Sequence, residues 1–402
     1  MKIGVIGAGP AGIFASLEAR KANAEVLLFD SNEIIGRKLL VTGAGRCNLT
    51  NENAFSNKYI ANPLSTVNAI LNQFGHPELL DYLHNLGVFT QSTSDGWVYP
   101  LSYSAANVAD ILAAHIIDSD IKVNLSHKVS RIILQKHGFL LKFSTGQSTL
   151  FVDKLIVAAG GKAYPSLGSD GSIIPALQNL GHEIHPIQPA LAPLVIPNNI
   201  VSPIQGVRMD AGVSLFSNCK LIGHTLGNII FTKNGINGPG VMDISYLVNQ
   251  YKNSRLEVKI NFIAGHENTL NALLARFADS SMPLQSVLGA IVPPKISLFT
   301  LNNLGLTTNT MMKNLHQNDS RRIMEFLSSF SLKIKGVRGF QYCQLSTGGI
   351  PLLDVEAESL ESKKIPGLSF AGEILDVHGP CGGYNLQWAF SSGFVAGRHA
   401  AS

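Results

Sequence analysis

The chain has 402 residues, of which 45% are hydrophobic and 14% charged, so it is too long for one core of the usual size and too apolar for a disordered chain. No apolar run reaches the roughly 18 residues of a membrane helix, and the early glycines followed by Glu18 and Arg20 are unlike a signal peptide, so we expect a cytoplasmic protein with no membrane partner. The net charge of +4 is uneven: residues 191–345 carry 14 Lys and Arg against 7 Asp and Glu, and the remaining residues carry 17 against 20. A basic segment of this kind indicates either a polyanion-binding surface or an ordinary solvated one.

The first part of the chain predicts a parallel α/β fold. A buried strand at 2–6, a glycine turn at 7–12, a helix at about 11–22 and a strand at 25–30 form a βαβ unit, whose strands are parallel. Hydrophobic periodicity predicts the further elements of this part: a helix at 104–119, strands of a small meander at 123–134, 139–143 and 149–151, and a buried strand at 154–159.

An insertion interrupts this pattern. Four prolines between 186 and 197 mark a boundary, after which residues 207–262 show short β-type runs and residues 267–330 show helical spacing. From about residue 341 the strand-and-glycine pattern returns. The predicted domains are therefore an α/β domain at 1–190 and 341–402, a β-barrel-like insertion at 191–265 plus 331–340, and a helical insertion at 266–330.

The four cysteines, Cys47, Cys219, Cys343 and Cys381, form no C-x-x-C pair, and no His/Cys cluster has metal-binding spacing. We therefore expect reduced thiols and no metal site. The dithiol chemistry of disulfide reductases, which needs two close cysteines, is not expected either.

The glycine turn at 7–12 has the G-x-G-x-x-G spacing of a dinucleotide-binding fold. Its first glycine permits a tight turn, the second lets a pyrophosphate approach the backbone, and the third lets helix and strand pack closely. Asp30 ends the second strand, 18 residues after Gly12, where its carboxylate can accept hydrogen bonds from ribose hydroxyls. Strand, helix and acidic residue together predict dinucleotide binding.

Three further motifs follow, and the last of them favours FAD over NAD as the dinucleotide. Basic Arg37 and Lys38, followed by the glycine-rich segment 42–48, come directly after the ribose-binding strand and can offset pyrophosphate charge. A buried strand ends at Gly160-Gly161. Near the C-terminus, the segment 367–387 carries an acidic residue for a ribityl hydroxyl and a Gly-Gly pair that opens an apolar helix, whose N-terminus can stabilise the anionic reduced flavin. No second G-x-G-x-x-G occurs, so an NAD(P)H donor is expected to visit the flavin only transiently.

Several of these runs resemble one bacterial family. Gly36-Arg37-Lys38, the segment 42–48, Thr347-Gly348-Gly349 and the segment 371–387 are similar to the BaiN/RdsA-type NAD(P)/FAD-dependent oxidoreductases, also labelled the aminoacetone oxidase family. The resemblance covers the whole chain and implies a two-dinucleotide-binding, Rossmann-like FAD domain interrupted by a small β-barrel and a helical module. One departure is Cys381, where the family usually has Thr.

The motifs and the resemblance together assign a set of residues to the surroundings of FAD. The expected cofactor-binding residues are Gly7, Gly9, Pro10, Ala11, Gly12, Asp30, Ser31, Arg37, Lys38, Gly45, Arg46, Cys47, Ala159, Gly160, Gly161, Gly372, Glu373, Asp376, Gly382, Gly383, Tyr384 and Asn385.

The activities that the resemblance implies are reduction of a conjugated C=C bond in steroid-like bile acid intermediates and reduction of uridine to dihydrouridine in 23S rRNA. We expect a reductase that passes a hydride from flavin N5 to such a bond, with rRNA uridine favoured by the basic insertion. Saturation also needs a proton, for which the candidate donors are Cys47, Cys381, His378 and Tyr384. The alternatives are a reductase of a small conjugated enone, a flavin oxidase of an amine or alcohol, and a non-catalytic RNA-binding flavoprotein.

Overall fold

The computed structural model describes residues 1–144, 146 and 149–402, which form two compact units. Unit 1 comprises Met1–Gln188 and Gln344–Ser402, and unit 2 comprises Pro189–Cys343. The sequence predicted domain boundaries at 190/191 and 340/341, and the two units divide at 188/189 and 343/344. The further division of the insertion into a β-barrel and a helical module stays a prediction.

Up to the junction of the units, the described residues form short strands and five α-helices. The strands are β1 (Lys2–Ile6), β2 (Glu25–Phe29), β3 (Thr50–Asn51), β4 (Ile60–Ala61), β5 (Thr90–Ser92), β6 (Trp97–Pro100), β7 (Lys122–Asn124), β8 (Val129–Gln135), β9 (Gly138–Phe143), β10 (Thr149–Val152), β11 (Lys154–Val157) and β12 (His185–Ala190). The helices are α1 (Pro10–Lys21), α2 (Leu64–Gln73), α3 (His76–Asn85), α4 (Ala105–Asp118) and α5 (Ile174–Asn179).

The rest of the chain supplies unit 2 and then returns to unit 1. In unit 2 the elements are β13 (Leu194–Val195), β14 (Arg208–Ser217), β15 (Lys220–Thr232), β16 (Gly235–Asn237), α6 (Pro239–Met242), α7 (Ser245–Gln250), β17 (Leu256–Asn261), α8 (Glu267–Arg276), α9 (Leu284–Leu288), α10 (Pro294–Leu304), α11 (Gln317–Ser328), β18 (Phe330–Lys333) and β19 (Gly336–Val337). The returning segment forms β20 (Leu345–Gly349), β21 (Leu368–Phe370), β22 (Val377–His378) and α12 (Tyr384–Ala400).

A parallel sheet of five strands organises unit 1, in the order β21-β11-β1-β2-β7. The central strand β1 is buried along almost its whole length, as a parallel strand covered on both faces must be. The C-terminal β21 pairs with β11, so the last part of the chain completes the sheet that its first residues begin. The predicted Rossmann-like α/β fold is thus confirmed.

Helix α12 covers this sheet together with α1, and the two helices approach very closely. A Cβ on Gly393 would lie 2.2 Å from the Ala11 carbonyl oxygen, and one on Gly397 would lie 2.3 Å from the Ala15 carbonyl oxygen. Two glycines one helical turn apart therefore let the helix backbones meet. This contact holds the C-terminal helix against the first helix of the βαβ unit.

Some predicted elements differ from the structure. The single strand predicted at 123–134 is two strands: β7 joins the parallel sheet, and β8 joins the antiparallel meander β10-β9-β8. Residues 50–103, for which no element was predicted, contain α2, α3 and four short strands. Helices α6 and α7 also interrupt the stretch 207–262 that was predicted as β-structure alone, because both are too short to show a clear periodicity.

Unit 2 contains an antiparallel sheet of seven strands, in the order β18-β17-β14-β15-β16-β13-β19. Its longest pairing joins β14 and β15, with Arg208 opposite Ile230 at one end and Ser217 opposite Lys220 at the other. Buried side chains alternate along β17, as expected for a strand with one face on a core. The predicted helical segment is present as α8 to α11, with Leu270 and Ile323 fully buried.

Candidate cofactor site

The glycine turn between β1 and α1 uses its three glycines differently. Gly7 has a φ of +105°, and a Cβ on it would lie 2.3 Å from the Ala158 carbonyl oxygen. A Cβ on Gly12 would lie 1.7 Å from the Gly7 carbonyl oxygen, whereas a Cβ on Gly9 would meet no atom within 4 Å. Gly7 and Gly12 are therefore required by the packing of the protein itself, and Gly9 borders open space.

The N-terminus of α1 has the properties of an anion site. The helix begins at Pro10, and its N-cap residue is Gly9. No side chain caps this end, and the first turn of the helix has no acidic residue. The free N–H groups and the helix dipole at such an end favour a negatively charged group. A pyrophosphate fits the chemistry and the open space at this end.

Asp30 follows β2 directly, and its carboxylate is hydrogen-bonded to the glycine turn. Its Oδ2 accepts a hydrogen bond from the Ala8 N–H at 2.6 Å, and its Oδ1 accepts from the Asn32 N–H at 2.7 Å and side chain at 2.9 Å. A carboxylate has about four lone-pair positions, so one remains for a ribose hydroxyl. The cleft beside this turn is lined by Ile6, Gly7, Phe29, Asp30, Ser31, His127, Lys128, Val129, Ala159, Gly168, Asp170, Gly171, Ser172 and Ile173.

An ion pair that sequence reasoning missed lies in this cleft. The Lys128 ammonium donates to Asp170 Oδ2 at 2.6 Å, and Asp170 Oδ1 also accepts from the Ser172 N–H at 2.9 Å. Burial raises the pKa of the Asp170 carboxyl, but the hydrogen bonds from Lys128 and Ser172 outweigh it and leave that pKa below its ordinary value. No local pattern joins two residues 42 positions apart.

The two basic residues after Gly36 have different surroundings. Lys38 Nζ donates to Glu373 Oε2 at 2.7 Å, with side chains only 24% and 14% exposed, so these two predicted cofactor residues neutralise each other. Glu373 Oε1 also accepts from the N–H and hydroxyl of Ser346 at 2.9 and 2.8 Å. Arg37 is half-buried and forms no ion pair with any residue that the structure describes. It is therefore the cation of the motif that remains to face an anionic ligand.

The glycine-rich segment after the motif is an irregular turn rather than a helix. Gly43 and Ala44 both have a φ of +57°, and a Cβ on Gly45 would meet no atom within 4 Å. Arg46 is exposed, with its guanidinium carbon 5.1 Å from the centre of the Tyr99 ring. The segment thus presents open backbone and one cation to solvent.

Three of the four candidate proton donors are buried, and two of these, Cys47 and His378, have shifted pKa values. Cys47 has no exposed surface and lies in the apolar core of unit 1, where burial raises the pKa of its thiol to about 12. His378 in β22 is 5% exposed, and burial lowers the pKa of its imidazole to about 4 against the opposing charge of Asp376. At neutral pH the thiol is a weak acid and the imidazole is uncharged, which favours packing roles for both.

The other two candidates lie at the start of α12. Tyr384 is its first residue, 8% exposed, and its carbonyl oxygen accepts a hydrogen bond from the Tyr59 hydroxyl at 2.8 Å. Cys381 stands three residues earlier and is partly exposed. Both therefore lie in or beside the loop that opens the helix.

That loop depends on close backbone contacts. Gly382 and Gly383 have φ values of +118° and +97°, and a Cβ on them would lie 3.0 Å from Trp97 Nε1 and 2.2 Å from the Thr50 carbonyl oxygen. Asn385 fastens the loop, because its Oδ1 accepts from the Gly379 N–H at 2.8 Å and its Nδ2 donates to the Gly379 carbonyl at 3.0 Å. No side chain caps α12, and the N-terminal end of a helix dipole favours an electron-rich group such as the flavin pyrimidine edge.

The turn at Gly372 is held by the same helix. The Gly372 N–H donates to Ser392 Oγ at 2.8 Å, and its carbonyl accepts from Trp388 Nε1 at 3.3 Å. Asp376, four residues later, accepts from the Gly348 N–H at 2.9 Å and lies 2.7 Å from His185 Nδ1. The histidine partner was not found from the sequence, since it is 191 positions away.

The strand end at 159–161 is equally close-packed. Gly160 has a φ of +73°, and a Cβ on it would lie 2.8 Å from Ser169 Oγ. A Cβ on Gly161 would lie 2.1 Å from Ser346 Oγ. Within unit 1 the structure thus brings Gly7, Asp30, Ser31 and Ala159 to one cleft, and joins Lys38, Glu373 and Ser346 in one hydrogen-bonded cluster that Gly161 borders.

The fold defines a class of protein: an oxidoreductase with a Rossmann-type dinucleotide domain. The chain belongs to the HI0933-like family, whose Rossmann-domain model matches residues 1–399, and this is a family of FAD-dependent oxidoreductases. The predicted family, enzyme class and FAD are thereby confirmed. An NAD(P)H donor and the roles of individual residues stay predictions.

Characterised relatives match nearly the full length of the chain. A 3-dehydro-bile acid Δ(4,6)-reductase of Clostridium scindens is 33% identical, over 100% of this chain and 99% of its own. A ribosomal RNA dihydrouridine synthase of Escherichia coli is 28% identical, over 97% of this chain and 96% of its own. Among solved structures, the 3-ketosteroid-Δ4-(5α)-dehydrogenase of Rhodococcus jostii RHA1 covers 100% of this chain and 96% of its own, with a TM-score of 0.53 and 14% identity, which shows a shared fold.

Two further observations concern predicted partners. In the described part of the chain, no helix combines the length and hydropathy needed to cross a bilayer. Within the same residues, no group of three His, Cys, Asp or Glu side chains is placed to hold a metal ion.

Proposed function

We propose that this enzyme is an NAD(P)H-driven reductase that saturates an activated C=C bond, with uridine in 23S rRNA as its favoured substrate. The observation that carries this proposal is the agreement between two full-length relatives. One is named for reducing a bile acid at Δ(4,6) and the other for making dihydrouridine, and both names describe saturation of a ring double bond. The cytoplasmic location stays a prediction.

The cofactor site supports hydride chemistry. Bound FAD supplies the hydride at its N5 atom. The open N-terminus of α1 beside Gly9, together with Asp30 and Arg37, has the donors and acceptor that an adenosine pyrophosphate needs. The uncapped N-terminus of α12 after Gly383 provides partial positive charge for the ring end.

The pKa shifts of Cys47 and His378 favour another group as the proton donor for saturation. Burial raises the pKa of the Cys47 thiol, which makes it a weak acid, and lowers the pKa of the His378 imidazole, which is therefore uncharged at neutral pH. Cys381, Tyr384 or an ordered water beside the start of α12 are the remaining donors. The variants Cys381→Ala and Tyr384→Phe distinguish the two side chains. Replacing the proton donor should slow reduction of the substrate and leave the rate of flavin reduction by NAD(P)H unchanged.

Charge in unit 2 supports the RNA substrate over a small one. Its 14 basic residues exceed its acidic residues by 7, and among the described residues only Arg321 and Arg322 form ion pairs. The unpaired cations are spread along the sheet, since Arg208 and Lys220 lie at opposite ends of the β14–β15 hairpin.

A small conjugated enone is the second candidate substrate. It is favoured by the bile acid reductase, which has the higher identity of the two relatives. An enone substrate does not need the excess charge of unit 2, so the two candidates differ in their dependence on salt.

The decisive test is mass spectrometry of large-subunit rRNA from a strain that lacks the gene. We expect loss of a dihydrouridine signal, restored by the wild-type gene and not by Gly9→Trp. A Cβ on Gly9 would meet no protein atom within 4 Å, so we expect the larger side chain to occupy the cofactor's space and to leave the fold intact. An unchanged rRNA signal in the deletion strain would exclude the RNA substrate, and turnover of cyclic enones with NADPH would then identify the second candidate.

A further inference from the structure

Several exposed basic residues of unit 2 meet at one end of its seven-stranded sheet. Val195 of β13 pairs with both Gly235 of β16 and Gly336 of β19. Lys233 stands two residues before Gly235, and Lys335 stands directly before Gly336. Since adjacent strands lie about 4.8 Å apart, the two glycines are separated by about 10 Å. Their preceding lysines therefore lie at the same end of the sheet.

Two more cations belong to this end. Lys295, in the first turn of α10, donates from Nζ to the Gln205 carbonyl at 2.8 Å. The residue after Gln205 donates its N–H to the Phe231 carbonyl, which precedes the Lys233 turn. Arg208 begins β14 on the same side of the sheet. We define Arg208, Lys233, Lys295 and Lys335 as the basic end of unit 2.

The basic end has no acidic residue to neutralise it in the segments that build it. Residues 195–209, 230–242, 281–318 and 326–342 contain no Asp and no Glu. Its four members are exposed, and none forms an ion pair with a residue that the structure describes. The nearest carboxylate along a strand is Asp210, which accepts a hydrogen bond from Asn228 at 3.2 Å. Exposed cations that no carboxylate neutralises are the groups that bind phosphates with release of counterions.

We propose that the basic end is the surface on which this enzyme binds the phosphate backbone of its RNA substrate. The inference rests on the proposed function, which it deepens by assigning one surface to RNA. Phosphate contacts position a nucleic acid without reading its sequence, so this surface contributes affinity, and the reacting base is selected elsewhere.

The test compares two triple variants of the full-length, FAD-loaded protein. The basic-end variant is Lys233→Gln, Lys295→Gln and Lys335→Gln. The matched control is Lys220→Gln, Lys252→Gln and Arg255→Gln, which removes three charges from the opposite end of the same sheet. Lys220 pairs with Ser217, nine residues along β14 from Arg208, which is a distance of about 30 Å.

The probe is a fluorescent 23S rRNA transcript, with binding measured by anisotropy at several salt concentrations. For the basic-end variant we expect about ten-fold weaker binding and a salt dependence whose slope is lower by about 2, because each lost contact to a single strand contributes about 0.7. The KM for rRNA should rise while kcat and FAD content stay unchanged. The control variant should bind like the wild type.

Other outcomes separate this inference from the proposed function. Equal losses in both variants, or no loss in either, would overturn the basic end as the RNA surface. Wild-type protein that binds rRNA through the basic end and forms no dihydrouridine would leave the inference standing and refute the rRNA reductase. Wild-type protein that reduces enones and does not bind rRNA would refute both.

Discussion

The two units differ in the share of their cations that is paired. Among the described residues, six of the 17 Lys and Arg side chains of unit 1 form ion pairs, against two of the 14 in unit 2, both on α11. Charges paired within unit 1, such as Lys38 with Glu373, are bound to other parts of the same fold. The cations of unit 2 are mostly hydrated and available to a partner. The difference indicates that more of the charges of unit 1 stabilise its own fold, whereas most cations of unit 2 are available to bind a partner.

Glycines pack closely against backbone in both units. Gly7, Gly12 and Gly383 of unit 1 and Gly235 and Gly238 of unit 2 leave no room for a Cβ, whereas Gly9 borders open space. The following predictions test whether unit 1 is as intolerant, and the surface of unit 2 as tolerant, as this comparison implies.

The largest effect is expected at Gly12. Gly12→Ala places a Cβ 1.7 Å from the Gly7 carbonyl oxygen, so we expect a loss of about 3 kcal/mol or more in the free energy of unfolding, measured with urea on the apoprotein. Gly9→Trp is the control, which should keep its unfolding free energy and lose FAD absorbance. A Gly12→Ala protein as stable as the wild type would remove the argument from close packing.

A pH-dependent loss of nearly the same size is expected from His378. Its pKa is about 4 in the folded protein and ordinarily 6.5, so the unfolded chain binds the proton first as the pH falls. Stability is therefore full above about pH 6.5 and declines by about 3 kcal/mol between pH 6.5 and pH 4. The measurement is urea unfolding at both ends of this window, compared with His378→Leu, whose decline should be smaller by that amount. Parallel curves for the two proteins would contradict the burial of this imidazole.

A smaller effect is expected from the Lys38–Glu373 pair. Lys38→Met leaves the carboxylate of Glu373 partly buried with only its Ser346 contacts, at an expected cost of about 2 kcal/mol. The double variant Lys38→Met with Glu373→Gln should recover part of this loss. Additive losses in this double-mutant cycle would show that the pair does not interact.

The smallest effect is expected on the surface of unit 2. The triple replacement of Lys220, Lys252 and Arg255 by Gln removes exposed cations that form no ion pair with described residues, so stability should change by less than about 0.5 kcal/mol. Thermal unfolding of the holoenzyme measures this. A loss like that of the Lys38 variant would mean that these cations are structural, and the contrast between the units would fail.

Local patterns predicted the parts of the fold that local chemistry controls. The βαβ unit, its glycine turn and the position of Asp30 were all readable because strand, turn and helix are consecutive. The final helix was readable as well, since Gly383 precedes a long apolar run. The strand predicted at 123–134 was wrong, because a continuous apolar pattern does not show that its two halves join different sheets.

The candidate site could be predicted only in part from the sequence. Gly9 and Gly12 look alike in the sequence, and only their surroundings separate open space from a contact of 1.7 Å. Cys47 and His378 were candidates because their residue types suit proton transfer, and their burial shifts the pKa of each away from that task. The pairing of Asp376 with His185 joins distant parts of the chain.

The sequence by itself determined the class of this protein: an α/β dinucleotide fold with FAD, a basic insertion and the resemblance to one family. Those features depend on spacing within a few dozen residues, which residue types and periodicity encode directly. Only the tertiary structure decided which charges are paired, which side chains are buried and which lysines share one end of a sheet. Those properties depend on neighbours that are far apart in the chain and meet only through folding.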